Sequence, residues 1–368
     1  MDIQRGNISL WLALSIIILS NGLMAHVIAI PVILNVAGRD SWIAIILASP
    51  LFIGWTYLLF SIIRKLNQRS IIDWLNEHWG KHVTFIIKLI LFAILFFVAL
   101  YTIVDTLMWT VSTYLQQTPI IVVALCMLLL CVAMAYAGLQ SIAIVASVLL
   151  PVVIILGYFV ATANTKYKDF SLLFPIFDNG MMPVASGAFY VLSALMDIWI
   201  LLLFAHHMKK TPNKLQILLL ACFLMMMVFG PITGAISEFG PTEALKQRHS
   251  TFDQWKILSL GQLLQHVDFL SIYQWISGAV IRAAISIYLM IDVFQFKQNK
   301  QRLKLLIGSA VILFALLFLN WREDAKLFML LRYVFPIHFV FVVLFTAAIV
   351  ITWLIVRRKE KAQHEQTT

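Results

Sequence analysis

Apolar residues fall in long blocks along this chain, not in alternation, and short polar stretches separate the blocks. A block of about 18 or more apolar residues is long enough to cross a bilayer as a helix. Ten blocks can be read, at residues 8–36, 41–63, 83–115, 119–136, 139–163, 183–208, 215–237, 263–296, 303–320 and 328–356. The stretch from Thr106 to Thr165 carries no charge and is too long for one crossing, and Pro119 and Gly138 divide it. The pattern predicts an all-α polytopic membrane protein of ten transmembrane helices. Residues 1–356 form one transmembrane domain, and residues 357–368 a short, polar, disordered cytoplasmic tail.

Two blocks are interrupted. The first reads WLALSIIILSNGLMAHVIAIPVILNVAG, with Asn21, Gly22, Leu23, Met24, Ala25 and His26 at its middle and Pro31 further on. A polar, glycine-containing interruption is how a discontinuous helix shows in sequence, and its half-helix would point a positive end at an anionic ligand group. A proline kink with small packing residues explains the same letters. The sixth block, PVASGAFYVLSALMDIWILLLFAHHM, holds Tyr190, Ser193, Ala194 and Asp197. If the chain is two halves, 8–163 and 183–356, blocks one and six correspond, and paired interruptions there point to a binding site at the midplane. The alternative for Asp197 is a packed, hydrogen-bonded carboxyl.

Ionisable residues inside apolar blocks are costly, so each is a candidate site. Tyr101 and Asp105 are four residues apart on one helical face. They line a cavity, or Asp105 pairs with Arg282. In the eighth block Gly278, Arg282 and Ser286 recur every four residues, which puts a guanidinium on a small-residue stripe. That guanidinium stays charged and must find an anion or carbonyls. It is either one half of a structural ion pair with Asp105 or a built-in cation reaching the backbone of block one near Ala25 and Ile28. Asp292, His206 and His207 fall at block ends and read as interfacial.

Composition agrees: 62% of residues are hydrophobic and 12% charged, against about 25% charged in soluble chains. The net charge of +10 reflects basic loops and not nucleic-acid binding. About two thirds of the Lys and Arg residues fall in the loops on the side of Arg5, Arg64, Lys209, Lys300 and Arg357. Such a bias puts both termini in the cytoplasm. The segment before the first block is too short for a signal-peptide n-region, so that block reads as an uncleaved span. Cys126, Cys131 and Cys222 read as buried free thiols, without metal-ligand spacing. No P-loop, HExxH or GxSxG motif occurs, so no catalytic residue, metal or cofactor is expected. Residues 74–82 suit a short interfacial helix. Residues 238–260 contain a short helix opened by Pro241 and Thr242, either a cap over an outward cavity or a solvated connector.

Four segments carry a resemblance over nearly the whole chain: ISLWLALSIIILSNGLMAHVIAIPVILNVAGRDSWIA, GLQSIAIVASVLLPV, LLFPIFDNG and STFDQWKILSLGQLLQHVDFLSIYQWISGAVIRAAISIYLM. The chain resembles the spore germination permease-like family, the GerAB/GerKB-type B subunits of nutrient receptors, within the amino acid–polyamine–organocation superfamily. The resemblance implies a LeuT-like five-plus-five inverted repeat with broken helices 1 and 6. It implies nutrient sensing in the spore inner membrane beside two partners, a membrane-embedded A subunit and a lipoprotein C subunit. The chain departs from that pattern at Gly22, where a paired-glycine motif is usual, at Asp197, where glutamate is common, and at Arg282, where lysine is common. The function read here is a germinant-receptor B subunit binding a small nutrient, an amino acid by default. The other reading is a secondary transporter of such nutrients.

The charge bias makes a direct prediction. Reporter fusions or cysteine labels at Gln247 and at Lys361 are expected on opposite faces of the membrane; labelling from the same face would reject the ten-span reading.

Overall fold

A computed structural model describes residues 8–259, 266–318 and 324–367. Its helices are α1 (Leu10–Gly22), α2 (Ile30–Ala37), α3 (Ser41–Leu66), α4 (Ile71–Thr113), α5 (Ile120–Ala137), α6 (Leu139–Ala163) and α7 (Met181–Leu195). They continue with α8 (Leu201–Phe204), α9 (Lys214–Phe239), α10 (Pro241–Ala244), α11 (Ser250–Lys256), α12 (Leu270–Asp292), α13 (Asn299–Leu316) and α14 (Asp324–Thr367). Among the described residues there is no β-strand, only a bridge between Ile8 and Met208. Among the described residues nine helical segments are long and apolar enough to cross a membrane, and the chain is a multi-pass membrane protein. α13 falls outside that set because Lys300, Arg302 and Lys304 crowd its first turns. The expected start of block eight at 263, the end of block nine at 320, and Arg5 and Arg322 lie outside the described residues.

Three segments form the centre. Burial reaches 72% for Leu10–Ile28 and 89% for both Met181–His207 and Leu270–Asp292, against 22% for Leu139–Tyr167 and for Lys326–Arg358. The peripheral helices instead turn Leu129, Val148, Ile155 and Leu344 outward. So continuous an apolar belt belongs in contact with lipid.

The interruptions take a specific form. Between α1 and α2 the chain does not unwind but passes through a π-helical segment, Leu23–Ile28, closed by Ala29 N–H donating to Met24 O at 2.9 Å. Pro31 then sits in the first turn of α2, where a missing N–H leaves no bond unmade. After α7 the chain tightens into a 3-10 segment, Met196–Ile200, that carries Asp197. The expected gaps are thus changes of helix type. A helix in lipid must keep its backbone bonded, and π and 3-10 turns bend it while doing so.

Small residues set the central spacing. A Cβ built on Gly187 would lie 2.6 Å from the Ala37 Cβ and 3.0 Å from the Ala44 Cβ. One on Gly278 would lie 3.2 Å from the Leu23 Cβ and 3.3 Å from Leu19 O. Here α7 meets α2 and α3, and α12 meets α1, at backbone distance.

Three expectations are corrected or sharpened. The short helix expected at 74–82 runs over residues 71–79, and Gly80, at φ 78°, turns it into the long part of α4. Cys126 and Cys222 are exposed on the lipid-facing surface, and only Cys131 is buried. The tail is not disordered: α14 continues to Thr367, because its Lys, Glu, Ala and Gln residues are good helix formers.

Gly187→Ala is expected to lower the thermal midpoint of the purified protein, with a loss of about 1–3 kcal/mol from overpacking. Gly54→Ala, where a Cβ meets open space, is the matched control and is expected to lose nothing.

Candidate functional site

At the middle of the bundle Arg282 of α12 donates from Nη1 to Asp197 of the 3-10 segment; both side chains are 3% exposed. The same nitrogen lies 3.3 Å from Ser20 O and 3.5 Å from Ser20 Oγ on α1. One guanidinium therefore joins the three central segments. His338 of α14 brings Nε2 to 3.5 Å from Asp197 Oδ1. Trp199 Nε1 donates to that nitrogen at 3.0 Å. An indole N–H can only donate, so His338 Nε2 is the acceptor and the ring is neutral. Arg282 is then the charge that balances Asp197.

The pair expected between Arg282 and Asp105 is replaced by two separate pairs. Asp105 Oδ1 accepts from Arg248 Nη2 at 2.6 Å and from the Tyr101 hydroxyl at 3.4 Å. Arg248 belongs to the segment between α10 and α11, which dips into the bundle above Asp105. One turn along α4 from Asp105, Trp109 stacks on Trp275 of α12 with centroids 4.1 Å apart and planes within 4°. Phe252 and Tyr114 close on Trp109 edge-on, and His249 packs on Trp275. Burial, then the charges of Arg248 and Lys256, hold the His249 imidazole down to about 3, so it is uncharged at neutral pH. Burial holds the Tyr114 hydroxyl up at about 12, so it stays a donor, bonding Asp268 O at 2.9 Å. In sequence Arg248 falls within the connector at 238–260; the aromatic residues around it, HSTFDQW, were the available sign that the loop is buried.

The remaining candidates mostly hold the backbone. Asn21 Nδ2 donates to Ala194 O at 2.9 Å and to Leu195 O at 3.4 Å, where α7 gives way to the 3-10 turn. Ser193 Oγ donates to Phe335 O at 2.6 Å. Proline removes the bond to the carbonyl four residues earlier. Pro336 thereby frees Arg332 O, and the Tyr190 hydroxyl donates to it at 3.1 Å. Pro231 likewise frees Met227 O, and His26 Nδ1 donates to it at 2.6 Å. Both polar side chains complete a neighbouring helix that a proline has opened.

A cavity of ≈ 240 Å³ lies beside the π segment, between α1, α6, α9 and α12, with α11 as its roof. Of the sequence candidates, Gly22, Leu23 and His26 line it. Asn21, Met24, Ala25, Tyr101, Asp105, Tyr190, Ser193, Ala194, Asp197 and Arg282 do not. Residues that sequence reasoning did not single out do line it, among them Gly157, Thr251, Gln254 and Trp275. The lining is mainly apolar, and Lys168 is its charged member among the described residues.

The sequence profile described as spore germination protein matches residues 8–325. The chain belongs to that family. It is 34% identical over 348 residues to spore germination protein XB of Bacillus anthracis, covering 94% of this chain and 98% of the relative. It is 22% identical over 326 residues to spore germination protein A2 of Bacillus subtilis strain 168, covering 87% of each.

In this germination protein the charged centre and the cavity are thus neighbours sharing α1 and α12, not one site. Removing one partner of a buried ion pair costs about 3–5 kcal/mol, because the other is left charged and unpaired. Arg282→Met and Asp197→Asn are each expected to lower the thermal midpoint strongly. The double variant is expected to be more stable than either single one. Additive losses in that cycle would show that the two side chains do not act as a pair.

Proposed function

We propose that the chain is the nutrient-sensing, permease-like B subunit of a spore germinant receptor, and that a small nutrient binds in the cavity beside the π segment. The observation that carries this reading is the position of that cavity. Its wall is the one stretch of α1–α2 where the α-helical ladder is altered, and the same segment begins three residues after Ser20, which Arg282 holds. A ligand pressing on Gly22, Leu23 and His26 acts on the helix that the charged centre ties down.

The volume lies below the usual range for drug-sized pockets, which suits a small molecule. The apolar lining favours an amino acid with an apolar side chain, its carboxylate toward Lys168 and Gln254. Asn21, Asp197 and Arg282 then report occupancy to the rest of the bundle, and do not contact the ligand. We further read α13 as a tenth crossing, giving a five-plus-five repeat with both termini in the cytoplasm of the spore, below its inner membrane. The A subunit and the lipoprotein C subunit are the partners this role calls for.

Sensing fits the charged centre better than transport does. Arginine does not release its proton in a protein, so Arg282 is a permanent cation on the carbonyl of Ser20. A permanent internal cation removes the need for a coupling sodium ion and holds one arrangement of the central helices.

The test is thermal stabilisation of the purified protein against a panel of nutrients, since a ligand at 100 times its Kd adds about 2.7 kcal/mol. At least one apolar amino acid is expected to raise the midpoint equally in sodium and in potassium. Gly157→Leu, which fills the cavity without touching the charged centre, is expected to abolish that rise while leaving the unliganded midpoint within a few degrees. Stabilisation that needs sodium would overturn the fixed-cation reading, and stabilisation that survives Gly157→Leu would move the ligand out of the cavity.

A further inference from the structure

A second cavity, of ≈ 380 Å³, lies at the end of the molecule where Ile8 meets His207, far in sequence from the first. Two loops build it. The end of α3 supplies Arg64, the connection after it Arg69, and the segment after α8 His206, Lys209 and Lys210. No acidic side chain lines it among the described residues. Basic loops are expected on one side of a membrane protein for topological reasons alone. That rule requires the charges to lie in loops; it does not require two loops about 140 residues apart in sequence to converge on one cavity.

The loops are held in place without using up the charge. Arg64 Nη2 donates to Pro212 O at 3.0 Å, which joins one loop to the other and leaves the guanidinium cationic. Lys209 is fixed through its backbone, its N–H donating to Ile8 O at 3.0 Å, a bond that does not engage its ammonium. Arg69 meets Glu77 at 3.6 Å, but both side chains are more than 60% exposed, and such a pair is worth little. Lys65, next along α3, is turned away over the ring of Trp353. Four cations therefore face one polar space with a weakly held carboxylate beside it.

A cation site is the competing reading. Ligand atoms of His206, His207 and Asp292 lie within 4.8 Å of one another. Bonds of about 2.0–2.1 Å to zinc would need them closer, and Arg302 already stands 4.0 Å from Asp292 Oδ1. His206 also lines the basic cavity, whose charges repel a metal ion. The electrostatics favour an anion.

We propose that this cavity binds a phosphate-bearing anion, either the headgroup of an anionic lipid or a free phosphate compound. Arg64 and Arg69 supply planar forks that suit phosphate oxygens, and Lys209 and Lys210 supply point charges. Basic pockets between membrane helices are suited to such headgroups. An occupant ties the end of α3 to the segment after α8, and through Ile8 to the start of α1.

The test uses the purified full-length protein in an uncharged detergent. Pyrophosphate titration followed by thermal stability probes the free anion. Native mass spectrometry after exposure to phosphatidylglycerol, with phosphatidylcholine as the neutral comparison, probes the lipid. The expected result is binding of at least one probe, weakened roughly 30-fold by Lys209→Gln with Lys210→Gln, at about fivefold for each lysine. Lys297→Gln with Lys300→Gln removes equal charge from another loop and is expected to change binding less than threefold. Retained phosphatidylglycerol without a pyrophosphate response assigns a lipid, and a pyrophosphate response in lipid-free protein assigns a soluble anion. Equal loss in the two double variants, or no binding of either probe to the parent, would overturn the site.

Discussion

A guanidinium buried at membrane depth is the constraint around which the centre of this protein is arranged. Arg282 cannot become neutral, and an unpaired charge there costs several kcal/mol. Its solution is Asp197 on one side and the backbone of Ser20 on the other. That requirement fixes the 3-10 segment after α7, α1 and α12 at one point. It also accounts for the glycines nearby: Gly278 lets α12 reach the turn of α1 that contains Ser20, and Gly187 lets α7 sit against α2 and α3.

Backbone bonding is the second constraint, and it has the same origin. Inside a bilayer no water is available to satisfy a carbonyl that a proline or a change of helix type has released. His26 and Tyr190 each serve one such carbonyl, four residues before Pro231 and Pro336 respectively. Asn21 serves two more at the end of α7. Polar residues that look like ligand-binding groups in a sequence are therefore occupied in holding bent helices together. What is left for a ligand is the apolar cavity on the other flank of the π segment.

Two of the buried ion pairs act at separate places in the bundle. Arg282 with Asp197 closes the centre, and Arg248 with Asp105 ties the segment between α10 and α11 and its aromatic stack to α4. Under the sensing role proposed above, the paired charges would hold the ligand-free state, and the π segment of Leu23–Ile28, which lines the cavity, would be the part a ligand moves.

Length and hydropathy alone determined that the chain is a helical membrane protein, and the four resemblance segments placed it in its family. Polar and small residues at 21–26 and around Asp197 pointed to the two interrupted helices, and the structure places the irregular turns at 23–28 and 196–200. Pairing across the bundle was decided only by the tertiary structure. Asp105 was the carboxylate the sequence offered for Arg282, and the structure pairs Arg282 with Asp197 instead. The choice between them depends on helix rotation and crossing angle, which the packing of distant small residues sets. Arg248 shows the same limit from the other direction: its loop is polar enough to lie in solvent, yet Trp109, Trp275 and Phe252 draw it inward. Periodicity records which face of a helix is apolar. It does not record which neighbour that face meets, and the cavity, the charged centre and the convergence of Arg64, Arg69, Lys209 and Lys210 all depend on that.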